Sequence, residues 1–260
     1  MFKIKLFFLF LFSLFTLKLS ALTPKEFYQL KIYHIKTSQQ EEKVDDFLKQ
    51  TYLPALHRAG ITKVGVFKPI VLADATPLEK LIYVFIPFKS YDGMIKLDRQ
   101  LAKDQTYLSA GKEYLNAIYT DPPYERIEII LMNAFEGHPK FAVSKLTSPP
   151  KDRVYELRSY ESHTENIAKN KIEMFNQGDE IGLFKRLNFN AVFYAEVVAG
   201  SRMPNLMYLT TFENKADRDA HWKLFGTDTY WKKLSSMPAY KNNVSKNDTK
   251  FLYPTDYSDI

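Results

Sequence analysis

The sequence predicts an α+β fold of two tandem ferredoxin-like (βαββαβ) repeats, whose sheets face each other as an intramolecular α/β barrel. Three observations carry this expectation. Aromatic residues make up 15% of the chain, with 17 Tyr and 20 Phe, a composition that suits strands and amphipathic pockets more than long coiled helices. Tyr28-Gln29-Leu30-Lys31-Ile32-Tyr33 and Tyr155-Glu156-Leu157-Arg158-Ser159-Tyr160 share one pattern at an offset of 127 positions. Each is followed by the same order of apolar periodicities at similar spacing.

The chain opens on an export signal. Met1 to Lys5 carries two lysines, Leu6 to Leu17 is an almost unbroken apolar run, and Leu19-Ser20-Ala21 supplies the small residues of a cleavage site. A membrane anchor would need about 20 apolar residues, so residues 1–21 are read as a signal peptide removed after Ala21. The product is expected in a periplasm or outside the cell, with no stable membrane insertion. The absence of cysteine excludes an acylated lipoprotein and a disulfide framework.

In the first repeat, residues 22–137, the opening strand leads to a helix over Gln39–Ala59, with Val44, Phe47, Leu48, Tyr52 and Leu56 on one face and Pro54 expected to kink or interrupt it. Strands follow at Lys63–Leu72 and Leu81–Phe88, helices at Tyr91–Leu101 and Leu108–Ile118, and a closing strand at Arg126–Phe135. Residues 138–152, with Pro139, Pro149 and Pro150, read as a linker. The second repeat, 153–260, repeats the order. Its elements are a strand at Val154–Tyr160, a helix over Thr164–Leu187 broken near Gly178, strands at Ala191–Val198 and Leu206–Phe212, a helix at Lys215–Phe225, and a short closing strand at Thr249–Tyr253. Asp228-Thr229-Tyr230-Trp231 falls where Asp104-Gln105-Thr106-Tyr107 falls in the first copy. A ferredoxin-like unit covers one sheet face with helices and leaves the other bare. The second copy is the natural cover for that bare face.

Three segments of the second repeat together resemble the NIPSNAP family in spacing and residue type. They are Tyr155 to Tyr160, Tyr208-Leu209-Thr210-Thr211-Phe212-Glu213-Asn214-Lys215-Ala216-Asp217-Arg218, and Asp228 to Trp231. The first repeat is a looser match, with Lys31 for the usual arginine and Lys89-Ser90-Tyr91-Asp92-Gly93 in place of an Ala-Asp-Arg turn. The resemblance implies the dimeric α/β barrel superfamily. Members of the family have poorly defined activity, with vesicle or mitochondrial roles proposed for animal relatives. Barrel relatives outside it include monooxygenases, isomerases and haem-handling proteins, and a shared fold does not carry function across.

Charge narrows the partners. The formal net charge of +6 falls to +3 once Lys3, Lys5 and Lys18 leave with the signal, and the remaining bases are interspersed with acids, so nucleic acid is not an expected partner. No His-x-x-x-His spacing occurs among His34, His57, His138, His163 and His221, so neither a metal site nor a cofactor is expected. Strand alternation places Glu156, Arg158 and Tyr160 on one face. If Leu157 takes the helix-covered side, these three point into the barrel with Lys31 and Tyr33 of the first repeat, and would bind a small anionic or aromatic ligand. The competing reading has them pair with one another, Glu156 with Arg158 or Lys31, and glue the sheets together.

Function is accordingly read as an exported NIPSNAP-like protein that holds a small ligand or protein partner at or near the barrel. One alternative is a cofactor-independent oxygenase or isomerase, with His221 or Tyr160 as acid or base and Arg158 steadying an oxyanion. Another is a structural subunit whose exposed aromatics mark a homo-oligomeric surface.

Overall fold

The computed structural model describes residues 23–70 and 80–260. The export signal expected over residues 1–21 lies outside the described residues, as does the end of the strand expected over Lys63–Leu72.

Apolar residues on both faces of Phe27–Ile35 make β1 a strand buried on each side. Thr37 then caps α1 (Ser38–Phe47) in a reciprocal box with Gln40. The kink or interruption expected at Pro54 takes the form of one π-turn at Leu48–Tyr52, in which the Leu53 amide donates to the Leu48 carbonyl five residues back, before the chain continues as α2 (Leu53–Arg58). The wider turn accommodates the missing proline N–H and its ring without ending the helix.

Next come β2 (Gly65–Pro69), β3 (Lys80–Phe88), α3 (Tyr91–Leu101), α4 (Gln105–Ala110), α5 (Lys112–Leu115) and β4 (Arg126–Ala134). The second half runs β5 (Val154–Glu161), α6 (Glu165–Asn176), α7 (Glu180–Arg186), β6 (Phe193–Ala199), β7 (Asn205–Phe212), α8 (Lys215–Thr227), α9 (Thr229–Ser236) and β8 (Lys246–Pro254). The break between α6 and α7 needs Gly178, where a Cβ would lie 2.5 Å from the Met174 carbonyl oxygen.

All eight strands pair antiparallel into one closed barrel in the order β1-β3-β2-β8-β5-β7-β6-β4. The halves meet edge to edge, through Phe67 to Pro69 against Pro254 to Leu252 and through β4 against β6 with a bulge between Leu131 and Met132. Closure leaves no strand edge open to another chain.

Two helical layers lie outside the barrel, each over its own apolar core. A third core fills the interior. At one end of the interior Phe85 stacks on Phe193 with ring centres 4.9 Å apart, and Tyr28 packs against both. Phe141 reaches this plug from the segment between the halves. The same segment is fastened to both halves: the Phe141 amide donates to Glu26 (2.8 Å), and the Thr147 and Ser148 amides donate to Glu213 (3.0 and 2.7 Å).

Candidate functional site

Strand register decides which residues share the barrel's other end. Along β1, Tyr28 sits in the aromatic plug, Leu30 and Ile32 continue the inward row, and His34 ends it. Ile32 lies opposite Glu128 on β4, and Ser159 on β5 opposite Asp248 on β8. These positions form a pocket of about 150 Å³. Its apolar floor is Ile32, Tyr83, Ile130, Leu157 and Met207, and its polar rim is His34, Glu128, Ser159, Asn205, Asp248 and Lys250. An eight-stranded barrel has an interior that side chains just fill, or that holds one small ligand. This barrel does the first at its plugged end and leaves room for the second at the other.

The β6–β7 connection crosses this mouth. Ser201 donates to Glu128, and Arg202 Nη1 donates to Asp248 Oδ2 at 2.7 Å. Lys250 reaches the other oxygen of Asp248 at 3.1 Å, and His34 lies 3.8 Å from Glu128. Burial opposes ionisation of Asp248, but the bonds from Arg202 and Lys250 outweigh it and hold the carboxyl below its usual range. Arg202 adopts φ 64°, the left-handed region unfavourable to a residue with a Cβ.

The five residues expected to bind ligand are not here. The inward row of β5 is Tyr155, Leu157 and Ser159, so Glu156, Arg158 and Tyr160 face the helices of their own half. Lys31 and Tyr33 face the other helical layer, where Lys31 contacts Tyr52 (3.5 Å) and Tyr33 contacts Tyr114 (3.4 Å). The phase assumed from Leu157 is therefore reversed. Both faces of β5 are buried, so a leucine fits either, and alternation alone sets which residues share a face without saying which face is inside.

Glu156 is fully buried and accepts four bonds: from Arg158 Nε (2.7 Å), Arg218 Nη2 (2.7 Å), Arg218 Nε (2.8 Å) and Trp222 Nε1 (2.7 Å). Burial would raise its pKa, but the two guanidiniums hold it below the ordinary carboxylate value. Arg158 also lies 3.8 Å over the Trp222 ring and donates to Tyr160, whose hydroxyl bonds that of Tyr208 at 2.7 Å. This network pins α8 to β5. Arg218, which reads from sequence as an exposed base between Asp217 and Asp219, is one of its two cations. His221 on α8 packs against Phe189 and Phe212 and bonds the Asp217 carbonyl at 2.8 Å. It lies outside the barrel, away from the open mouth.

Two other features compete for attention. Lys171 and Glu180 form a buried pair at 2.8 Å among Tyr160, Phe175 and Trp231, and burial pushes the Glu180 carboxyl up despite the lysine. A larger groove of about 540 Å³ runs between α1 and α5, but it lies outside the barrel and its Lys43 and Asp121 are already paired at 2.6 Å. The mouth is the stronger candidate, because its polar groups converge on a space with an apolar floor. Among the described residues, no group of His, Asp and Glu is arranged to hold a metal ion, and no helix is long and apolar enough to cross a membrane.

Sequence reasoning missed Glu128, Arg202, Asp248 and Lys250. The available signal was alternation of the polar residues Asp248 and Lys250 along an otherwise strand-like segment, which marks an inward polar row rather than a frayed end.

Residues 155–259 match the NIPSNAP family model. No curated protein matches the chain. Its fold is similar to that of a candidate monooxygenase from Lactobacillus acidophilus NCFM, with a TM-score of 0.58 at 11% identity over 88% of this chain and 94% of that one. It is also similar to a candidate monooxygenase from Fusobacterium nucleatum subsp. nucleatum ATCC 25586, with a TM-score of 0.55 at 8% identity over 88% and 92%. An anthrone oxidase-like protein aligns with a TM-score of 0.52 at 10% identity over 89% and 92%. At these identities the likeness is one of fold.

Proposed function

We propose that this chain, with its NIPSNAP-type C-terminal half, is a binding protein that receives a small molecule in the open end of its barrel. The observation that carries this reading is the asymmetry of the interior: an aromatic plug closes one end, and a polar-rimmed pocket of about 150 Å³ occupies the other. That volume is below the roughly 300–1,000 Å³ of drug-sized sites, so the ligand is small or inserts only one end. An anionic or aromatic ligand no longer follows from Arg158, which is bound to Glu156 outside the barrel. The oxygenase or isomerase alternative loses the residues that carried it, since Tyr160, Arg158 and His221 are all engaged by neighbours outside the mouth.

The same reading takes the barrel as a duplicated ferredoxin-like unit. The strand orders β4-β1-β3-β2 and β8-β5-β7-β6 correspond one for one. Asp104 and Asp228 each cap the helix that follows, and each pairs with an arginine ending an earlier helix, Arg58 at 2.6 Å and Arg186 at 2.9 Å. Export after Ala21 belongs to this proposal too, and mass measurement of the product from its native host tests it: a mature chain starting at Leu22 supports export, and an intact Met1 end refutes it.

For the binding role, a crystal of the mature chain soaked with a library of small polar fragments is decisive. Density over Leu157 and Met207, bounded by Asp248 and Glu128, supports the reading. Fragments bound reproducibly elsewhere with the mouth empty would overturn it.

A further inference from the structure

Resting on the mouth as the binding site, we propose that Asn205 anchors its ligand, and that the ligand is a small uncharged molecule presenting a hydrogen-bond acceptor such as a carbonyl oxygen. Asn205 opens β7 and is only 4% exposed, yet its side chain lines the pocket. The buried Ser159, on the neighbouring strand, donates from Oγ to Asn205 Oδ1 at 2.9 Å. That bond orients the carboxamide. Its oxygen is occupied, and its Nδ2 group, which carries two donors, has no partner among the described residues. The nitrogen is not sealed in protein as the unpaired hydroxyls of Thr210 and Thr255 are, and the space it meets is the pocket.

The mount of this donor is firm. The Ser162 amide donates to the Pro204 carbonyl at 3.0 Å, which ties the chain just before Asn205 to the end of β5. Glu161, the cross-strand neighbour of Asn205, makes no bond to it, and its own Oε1 is buried without a donor. The acceptor for the amide therefore comes from what enters the pocket. A donor fixed in advance favours a ligand oxygen over a group of the same shape that cannot accept.

The rest of the lining sets charge and size. Arg202 is bonded to Asp248 and lies in the field of Glu161 and Glu128 as well, and Lys250 reaches the other Asp248 oxygen. A carboxylate entering the pocket has to draw one of these cations away from Asp248. An ammonium brings donors to a donor and buries its charge against a neutral amide. An uncharged acceptor does neither. Ile130, Leu157 and Met207 offer it an apolar floor. The volume of about 150 Å³ is one at which an apolar cavity takes a benzene-sized guest, about six non-hydrogen atoms. A short-chain or small-ring carbonyl compound fits both requirements.

The test is a ¹H–¹⁵N titration of the mature chain with cyclopentanone, methylenecyclopentane and cyclopentylamine, three probes of one size that present an acceptor, no polar group and an ammonium. The backbone amides of Ser159, Asn205 and Lys250 report binding at the mouth, and the Asn205 side-chain amide reports the anchor. Cyclopentanone is expected to bind about fivefold more tightly than methylenecyclopentane, the size of one neutral hydrogen bond, and to shift the Asn205 Nδ2 protons downfield. Asn205→Leu should bring the ketone and the alkene to equal affinity, with unchanged spectra away from the mouth verifying the fold. The side-chain shift in the unaltered chain tests the anchor even if that variant does not fold. Equal binding of the alkene, tighter binding of the amine, or mouth binding of the ketone with unmoved Asn205 Nδ2 protons refutes the anchor while leaving the mouth as the site. Shifts confined to other surfaces, or none for any probe, overturn both.

Discussion

Arg218 Nη2 and Arg158 Nε both donate to Glu156 Oε1, each at 2.7 Å, from a helix outside the barrel and from Glu156's own strand. A carboxylate with no solvent exposure is thereby held by two guanidiniums and an indole. The arrangement is a tie between α8 and the sheet, and it predicts a stability effect. Glu156→Gln takes the only carboxylate partner from the half-buried Arg158 and leaves Arg218 with the exposed Asp219 alone, and breaking a buried pair from one side costs about 3–5 kcal/mol. Urea unfolding should record a loss of that size while ligand binding at the mouth of the folded variant is unchanged. A fully stable Glu156→Gln protein with lost binding would return this cluster to the list of functional sites.

The sequence discloses this architecture unevenly, and the reasons are physical. The helix over Tyr91–Leu101 and the strand ending at Phe88 stand where apolar periodicity puts them, because each packs one apolar face on a neighbour. The inward face of β5 was not legible: Tyr155 and Leu157 on one side and Tyr160 on the other are equally suited to burial. Arg218 shows its role only once α8 docks over Glu156, 62 residues earlier in the chain. The extent of β8 was hidden by its chemistry. The strand expected over Thr249–Tyr253 in fact begins at Lys246, so Asp248 joins Lys250 in the inward row that makes the pocket.

The Lys171–Glu180 pair carries a pH-dependent expectation. Lys171→Met removes the charge that steadies a buried carboxyl whose pKa burial already raises. A folded-state pKa above the unfolded value means stability is retained below the unfolded pKa and lost as pH rises through the folded one. Lys171→Met should therefore be destabilised by about 3–5 kcal/mol at neutral pH and recover much of this near pH 4. Lys171→Met with Glu180→Leu should recover it at all pH values. Chemical denaturation at pH 4 and pH 7 reads both, and a deficit in the single variant that does not change with pH contradicts the account.

The aromatic plug makes a separate prediction about the closed end. Phe85 is fully buried and touches Tyr28, Phe141 and Phe193. Phe85→Ala should cost about 3–5 kcal/mol through lost transfer energy and an unfilled cavity. Because the plug lies at the opposite end from the mouth, ligand affinity measured well below the lowered unfolding midpoint should be unaffected. Coupled losses of stability and affinity would show that the two ends of the barrel act as one site.

Glu213 gives the clearest acid-sensitive contact. Hydrogen bonds from Ser148 and from the Thr147 amide bring its pKa down to about 2, whereas in an unfolded chain a glutamate titrates at about 4.3. A depressed folded-state pKa contributes stability that is present above the unfolded value and fades as pH falls toward the folded one. The Thr147–Ser148 part of the strap should therefore loosen from about pH 4.3 downward, before the barrel itself opens, while the ties of Phe141 to Glu26, Ala142 to Val192, Ser144 to Thr211 and Arg153 to the Ser148 carbonyl still hold the strap. Amide exchange resolves this. The protection factors of Thr147 and Ser148 should fall between pH 5 and pH 2.5 while those of β5 and β7 hold. In Glu213→Gln the two amides should show reduced protection already at pH 5 and no further change on acidification. Protection of Thr147 and Ser148 that is independent of pH in the unaltered chain would mean that something other than the Glu213 carboxylate holds the strap in place.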